Sequence, residues 1–394
     1  GEVMRKRNAN FLYGLMNLFL WGTIGALVTY ASRFYLHLGL SNTVSGVLLA
    51  AVIGSSILLQ PVLTAVVERL HVSVQRIICT AAAMILACCL PLLALADTRS
   101  AAVPLMCLAC LCVQTQPAFV NALGVCAMHN GLHINYGLCR GIGSVSFALC
   151  VRAVNALITR IGMRAVAVSA AVLALGLLIT ALLFPKLESL EKKQRSASRF
   201  SEFFRNNKRF FLLLLAGALL LLSHNTLTNF MYQIALFKGD GDAQGTAVML
   251  SALVELPTMF LFTRMRRVAR CEFWLKLSGL FFLLRVTLSL VLPGVTGLYI
   301  AQLTQAMGFA LYTVSSVAYT EKLIAKRDEV KGQTYLAAAN STGSLAASLL
   351  AGTLIDLLGV KNMLLVSIAV AAAGALLLCA AVKPLPEDAC GAAL

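Results

Sequence analysis

Twelve apolar stretches, each long enough to cross a bilayer, constrain this sequence more than any other feature. A bilayer core about 30 Å thick needs roughly 20 apolar residues of helix. The mean hydropathy is +0.85, and charged residues make up only 12% of the 394 positions. We therefore expect an all-α membrane protein with 12 transmembrane helices. The predicted spans are 10–32, 42–64, 77–96, 102–128, 137–159, 165–185, 210–237, 245–262, 273–292, 296–318, 334–357 and 363–382.

The basic residues are distributed unequally between the two sides of these spans. Of the 32 Lys and Arg, 22 fall in connections that share a side with both termini, and six fall on the opposite side. Cytoplasmic loops carry an excess of Lys and Arg. We therefore expect an integral plasma (inner) membrane protein with cytoplasmic N and C termini. The same distribution explains the net charge of +16, so that no nucleic-acid partner is expected.

A basic connector divides the spans six and six. Residues 186–209 contain eight basic and three acidic residues, which is typical of a solvated cytoplasmic linker. We expect an N-terminal six-helix bundle over 1–185, and a C-terminal six-helix bundle with a short tail over 210–394.

The two halves share a short motif. LITRIGMR begins at Leu157 and LIDLLGVK begins at Leu354, an offset of 354 − 157 = 197 residues. A repeat at half the chain length is typical of transporters built from two parallel bundles, although a tight turn with glycine and one basic residue is also common by chance. Glycines in spans 5 and 11, including Gly137, Gly143 and Gly343, are expected to let helices approach closely.

Glu255 is the only carboxylate well inside a predicted span. An ionised side chain near the bilayer centre costs at least about 2.5 to 3.5 kcal/mol on insertion scales, so its presence indicates a function or a partner. A carboxyl group can hold a proton in dry surroundings and lose it when water or an arginine approaches. We predict that Glu255 exchanges a proton and that Arg285, in the next span, tunes it. The alternative is an ion pair that only locks spans 8 and 9 together.

Polar uncharged side chains recur at helical spacing and would line one face of three spans. These residues are Gln114 and Asn121 in span 4, Asn225 and Asn229 in span 7, and Gln302 and Gln305 in span 10. Amides that face a cavity suit a polar solute, but hydrogen bonds between helices would explain the same pattern.

Histidines add little to this prediction. His224 in span 7 could titrate near neutral pH, but we expect a buried histidine whose hydrogen bonds are satisfied. His129 and His133 have the spacing of metal ligands, but they lie in a loop with no carboxylate nearby, so no metal site is expected. No cofactor is expected either.

The segment YGLCRGIGSVSFALC, which begins at Tyr136, contains an arginine followed seven positions later by an aromatic residue. It resembles span 5 of the major facilitator superfamily, and more narrowly of its lactose permease and phenylpropionate permease-like branch. The resemblance implies that Arg140 binds the solute and that Phe147 stacks on it. The alternative for Arg140 is that its guanidinium reaches the cytoplasmic interface.

Two further segments carry the resemblance. LQPV from Leu59, leading to Glu68 and Arg69, resembles the signature after span 2, where an acidic and basic pair takes part in the conformational switch. Glu255 and Arg285 resemble the span 8 carboxylate and span 9 arginine of the proton site. The resemblance implies two six-helix bundles of the major facilitator fold.

Charged residues that the lactose permease has in spans 4, 7 and 10 are replaced here by neutral ones, among them Asn121, Asn225, Gln302, Gln305 and Gly308. Opposite charges are lost together, as expected when a buried ion pair is removed without stranding one partner. These replacements argue against lactose as the solute and leave Glu255 as the carboxylate for proton coupling.

The sequence therefore predicts a monomeric secondary transporter in a lipid bilayer, with protons and a small polar solute as its partners. The expected activity is proton-coupled symport of a sugar, nucleoside or small organic acid by alternating access. The alternatives are efflux of amphipathic compounds and a membrane sensor that keeps the fold without transporting. An enzyme is not expected, because the spans contain no cluster of nucleophile, base and metal ligands.

Overall fold

The computed structural model describes residues 8–70, 72–187, 203–205, 207–325 and 328–385, and these are almost entirely helical. Ten of the helices are long and apolar enough to cross a membrane. This confirms the expected all-α membrane fold. The helices are α1 (Ala9–Leu27), α2 (Ala31–His37), α3 (Asn42–Arg69), α4 (Val74–Leu95), α5 (Arg99–His129), α6 (Tyr136–Ile161), α7 (Arg164–Leu183), α8 (Lys208–Asn229), α9 (Met231–Phe237), α10 (Ala243–Val268), α11 (Cys271–Val291), α12 (Gly294–Leu303), α13 (Phe309–Leu323) and α14 (Glu329–Ala381).

Two of the predicted spans share one helix, and another is divided, which reconciles ten long helices with twelve spans. Helix α14 is 53 residues long and bends at Gly359, whose backbone is not helical. The predicted spans 334–357 and 363–382 lie on either side of this bend. The predicted span 296–318 is split into α12 and α13, and each part is too short to cross a bilayer alone.

Contacts group the described residues into two units. One comprises those within Gly1–Lys192 and Asp242–Leu253, and the other comprises those within Lys193–Gly241 and Val254–Leu394. Most of the expected linker, 186–209, lies outside the described residues. Helix α10 is thus shared, with the change of unit between Leu253 and Val254.

Polar contacts explain why the start of α10 belongs to the first unit. The guanidinium of Arg33 donates to the carboxylate of Asp242 at 2.7 Å and to the amide oxygen of Asn155 at 3.1 Å. Asn155 in turn donates to the backbone carbonyl of Asp242 at 2.9 Å. The side chain of Gln244 donates to the carbonyl of Thr29 at 2.9 Å. These bonds fasten residues 242–244 to α2, α6 and the turn before α2.

The repeated motif has the same backbone conformation in both halves. Gly162 has φ 69° and ψ −161°, and Gly359 has φ 79° and ψ 166°. Only glycine adopts this region readily, because a β-carbon would clash with the backbone. Spans 1 and 7 also break at corresponding places, between α1 and α2 near Tyr30 and between α8 and α9 at Phe230. Each half therefore contains the same interruptions, which supports an internal repeat.

The second half also contains a helix break that the described residues of the first half do not repeat. Helix α12 ends at Leu303, a 3₁₀ turn covers Thr304–Ala306, and α13 begins at Phe309 after Gly308. A β-carbon at Gly308 would lie 3.4 Å from the carbonyl oxygen of Thr304. Broken helices within membrane spans occur where the backbone is buried in protein or lines a cavity, and in transporters they often form binding sites.

Candidate functional site

In the first unit, Arg140 lies against an aromatic ring near the start of α6. Its guanidinium carbon is 3.7 Å from the centroid of the Trp21 ring, and its Nη1 donates to the hydroxyl of Ser144 at 2.8 Å. A guanidinium over an indole face is attracted by the ring quadrupole. Asn135 begins the helix by accepting from the backbone N–H of Leu138 at 3.0 Å. The Arg140 cluster, Arg140 with Trp21, Ser144 and Phe147, is therefore held by α1 and α6.

Phe147 lies two helical turns after Arg140, so that both project from the same side of α6. It is half-buried, and its ring and backbone lie close to Gly25 of α1. A β-carbon at Gly25 would be 3.3 Å from a Phe147 ring carbon. The small residue lets the two helices approach closely and leaves room for the ring.

In the second unit, Arg285 of α11 is buried, with 3% of its surface exposed. Its Nε and Nη2 donate to the amide oxygen of Gln302 at 3.1 and 2.7 Å, and its Nη1 donates to Nδ1 of His224 at 2.9 Å. Gln302 is oriented by donating to the carbonyl of Leu298 at 3.2 Å. The buried guanidinium is thus held by neutral acceptors on two other helices.

Glu255 is half-buried in α10, two residues before Pro257. The side-chain amide of Gln305 donates to its carboxylate at 2.9 Å. Gln305 lies in the 3₁₀ turn and is 4% exposed, and its own oxygen has no hydrogen-bond partner within the part of the chain that the structure describes. A buried acceptor without a partner costs about 1 to 3 kcal/mol. A ligand N–H or O–H that reached this oxygen would supply the missing hydrogen bond.

The two ionisable residues of the predicted proton site belong to one polar network. The charge of Glu255 acts on Arg285. One group of hydrogen bonds joins Gln305 to Glu255, and the other joins Arg285 to Gln302 and His224. Gln302 and Gln305 are three residues apart on the broken span. We call Glu255, Gln305, Gln302, Arg285 and His224 the Glu255 network. The amides give both charged groups neutral hydrogen-bond partners, which lowers the cost of a charge away from water.

The other predicted residues are more dispersed. Asn225 donates to the carbonyl of Leu221 in its own helix at 2.8 Å. Asn229 donates to the hydroxyl of Ser348 at 2.9 Å and so joins α8 to α14. For Asn229 the structure shows the helix-to-helix hydrogen bond that was the alternative to solute contact.

The remaining predicted residues form two pairs in the first unit. Gln114 and Asn121 are half-buried on α5, seven positions apart and therefore on one face. Arg69 is exposed at the end of α3, and the side chain of Glu68 is not among those that the structure describes. The role of Glu68 and Arg69 in a conformational switch stays a prediction.

Sequence reasoning missed Trp21 and Ser144, and it gave His224 no function. Ser144 lies one turn after Arg140, a spacing that could have indicated the contact. Trp21 and Arg140 are far apart in sequence, and no spacing rule connects them. His224 is buried with satisfied hydrogen bonds, as expected, but its main partner is the functional candidate Arg285.

An all-helical chain with many membrane-length helices, broken spans and buried ionic networks defines a helical membrane transporter. The sequence profile of the MFS_1 like family matches residues 12–366, and the chain belongs to this family of the major facilitator superfamily. No curated relative matches the chain by sequence.

Solved transporters share its fold. Nucleoside transporter NupG has a TM-score of 0.79 at 15% identity, covering 96% of this chain and 100% of that chain. An auto-inhibited POT family peptide transporter has a TM-score of 0.73 at 10% identity, covering 95% of this chain and 96% of that chain. A bacterial homologue of the human lysosomal transporter Spinster, in an inward-facing and unoccupied conformation, has a TM-score of 0.69 at 12% identity, covering 97% and 98%. Identities this low support the fold alone.

Proposed function

We propose that this chain is a proton-coupled symporter that takes up a small polar solute by alternating access. The observation that carries the proposal is the Glu255 network, in which a half-buried carboxylate meets the amide of a broken helix beside a buried arginine. A carboxyl group in these surroundings can be neutral or charged, depending on water and on the position of the guanidinium. That property is what coupling to a proton gradient requires.

Each residue has a role in this proposal. Arg140 holds a polar or anionic group of the solute, and Phe147 stacks on its flat face. Glu255 takes up and releases the proton, while Arg285 favours its charged form. The free oxygen of Gln305 accepts a hydrogen bond from the solute.

The solute is best sought among nucleosides, which combine a flat base with ribose hydroxyls. The indole ring of Trp21 beside Arg140 suits the flat base, and the guanidinium and the hydroxyl of Ser144 suit polar groups of the base or ribose. The fold shared with nucleoside transporter NupG agrees with this choice. Sugars and small organic acids are the other candidates, and kinship with the lactose permease and phenylpropionate permease-like branch belongs to the same proposal.

The location is also part of the proposal. The excess of basic residues in alternate connections supports a plasma (inner) membrane protein whose two termini are cytoplasmic. We propose that it acts as a monomer of two six-helix bundles, 1–185 and 210–394, and that Glu68 and Arg69 act in the conformational switch.

Uptake into proteoliposomes tests the function. The protein is first screened for stabilisation by nucleosides, sugars and aromatic acids, because a bound ligand raises the apparent stability. It is then reconstituted and given radiolabelled uridine. We expect uphill accumulation when the outside is more acidic than the inside, and its abolition by a protonophore. Uptake that is indifferent to the pH gradient would refute proton coupling. Outward movement of amphipathic dyes would favour efflux instead.

A further inference from the structure

The hydrogen bonds around His224 define its protonation state. A guanidinium has no acceptor, so Nη1 of Arg285 must be the donor in its 2.9 Å contact with Nδ1 of His224. Nδ1 therefore carries no proton, and the imidazole is neutral with its proton on Nε2. Nε2 lies 3.5 Å from the hydroxyl of Thr228, which itself donates to the carbonyl of His224 at 3.0 Å. Every donor in this group thus faces an acceptor.

The surroundings of the ring are apolar. The imidazole stacks on Phe309, with ring centroids 4.3 Å apart and an interplanar angle of 12°. The ring of Phe282 meets it edge-on at 5.9 Å. Only 7% of His224 is exposed. Charge on the imidazole would therefore be poorly screened by water.

The other groups that bear on His224 come from each helix packed against α8. Helix α11 supplies Arg285, α13 supplies the phenol of Tyr312 behind Phe282, and the charge of Glu255 in α10 acts on Arg285. The side chains of α14 that bond to α8 include Ser348 and Ser367, which are neutral. In α9, Tyr232 lies against Gly241. Arg285 is thus the charged group in direct contact with the ring.

We propose that Arg285 and a proton compete for Nδ1 of His224, which makes His224 a second proton-handling residue of the transporter. A proton on Nδ1 would place two N–H donors and two positive charges within 2.9 Å. The proton can bind the Nδ1 lone pair only when the guanidinium leaves, and the guanidinium can return only after that proton goes to water or to the Glu255 carboxylate. When Arg285 moves to an ionised Glu255, His224 is free to become positively charged.

This inference rests on the proposed function, but it predicts a property of the resting protein. His224 binds the proton at Nδ1 and is linked to Glu255 through Arg285. Proton transfer from Glu255 to His224 would leave the net charge of the network unchanged, because the carboxyl group becomes negative as the imidazole becomes positive. The exchange keeps the net charge constant but creates one anion and one cation, and contact between Arg285 and the Glu255 carboxylate would offset part of that cost.

Nuclear magnetic resonance of protein labelled with ¹⁵N-imidazole histidine in nanodiscs tests the competition. The chain has five histidines, and His224→Asn identifies the signal of His224, with His133→Asn as the matched control at an exposed loop position. We expect wild-type His224 to keep the neutral form with its proton on Nε2 from about pH 8 to about pH 5. In Arg285→Gln we expect the same imidazole to bind a proton at a higher pH than in the wild type, because the guanidinium at Nδ1 is gone. A His224 with the same titration in both proteins, or with a proton on Nδ1 beside Arg285, would overturn the proposal.

The consequence for transport is measured with the same His224→Asn variant. Asparagine keeps an acceptor oxygen for Arg285 but cannot be protonated, so a purely structural role predicts an unchanged pH profile. We expect the change in uridine counterflow between pH 8 and pH 5 to be about fivefold smaller in His224→Asn than in the wild type. An identical profile would leave His224 as a structural acceptor. If wild-type uptake ignores a pH gradient, the proposed function fails while the resonance test still decides the competition.

Discussion

At the scale of single residues, the arginines of the two candidate sites have different surroundings. Arg140 contacts an indole ring and one hydroxyl and is half-buried. Arg285 has three of its nitrogens bonded to neutral acceptors. Hydrogen bonds to a charged group contribute about 1.5 to 3 kcal/mol each. In the proposed mechanism Arg140, which lies beside an aromatic ring, binds the solute, and Arg285 regulates the proton.

The first prediction concerns Arg140. Replacing it by alanine removes one or more charged hydrogen bonds to the solute, so we expect Arg140→Ala to weaken solute affinity by about 10-fold to 100-fold. Isothermal titration with the solute found in the stability screen measures the change. The control is Arg152→Ala, which removes an exposed arginine from the same helix. Equal affinity in the wild type and Arg140→Ala would leave only contact with the cytoplasmic interface as its role.

At the scale of helices, close approach depends on small residues at particular positions. A β-carbon at Gly343 of α14 would lie 2.5 Å from the carbonyl oxygen of Ala218 in α8. Backbone atoms cannot move aside as a flexible side chain can. The sequence suggested the same role for Gly137. A β-carbon at Gly137 would lie 4.0 Å from its nearest neighbour, the amide oxygen of Asn135. Composition alone could not distinguish the two glycines.

The second prediction uses this pair. We expect Gly343→Ala to lower the free energy of unfolding by about 1 to 3 kcal/mol through overpacking between α8 and α14. Gly137→Ala should be neutral or slightly stabilising, because alanine favours a helix more than glycine does. Thermal unfolding of both variants in one detergent measures the difference. A Gly343→Ala protein as stable as Gly137→Ala would show that the helices can separate without cost.

Element boundaries and ionic contacts differed in how far the sequence predicted them. Hydropathy located the spans, and the glycines of the repeat at Gly162 and Gly359 have matching conformations. The break at Thr304–Ala306 was not predicted, because it depends on packing around Gly308 and not on a local proline. The contact between His224 and Arg285 joins residues 61 positions apart. No local pattern reports a contact at that separation.

At the scale of the whole molecule, the candidate residues divide between the two units. The first unit contains the Arg140 cluster, and the second contains the Glu255 network. In the proposed mechanism the first supplies a permanent charge for the solute, and the second supplies a charge that a proton can cancel. Coupling then requires that solute and proton both affect the same conformational equilibrium.

Two assays on Glu255→Gln in proteoliposomes test proton coupling through Glu255. Glutamine keeps the size and polarity of the side chain but cannot exchange a proton. We expect solute counterflow within about twofold of the wild type, because binding and alternating access remain, and complete loss of accumulation driven by a pH gradient. Glu321→Gln, at an exposed position on α13, is the control for reconstitution. Uphill accumulation by Glu255→Gln at the wild-type level would show that Glu255 does not carry the coupled proton.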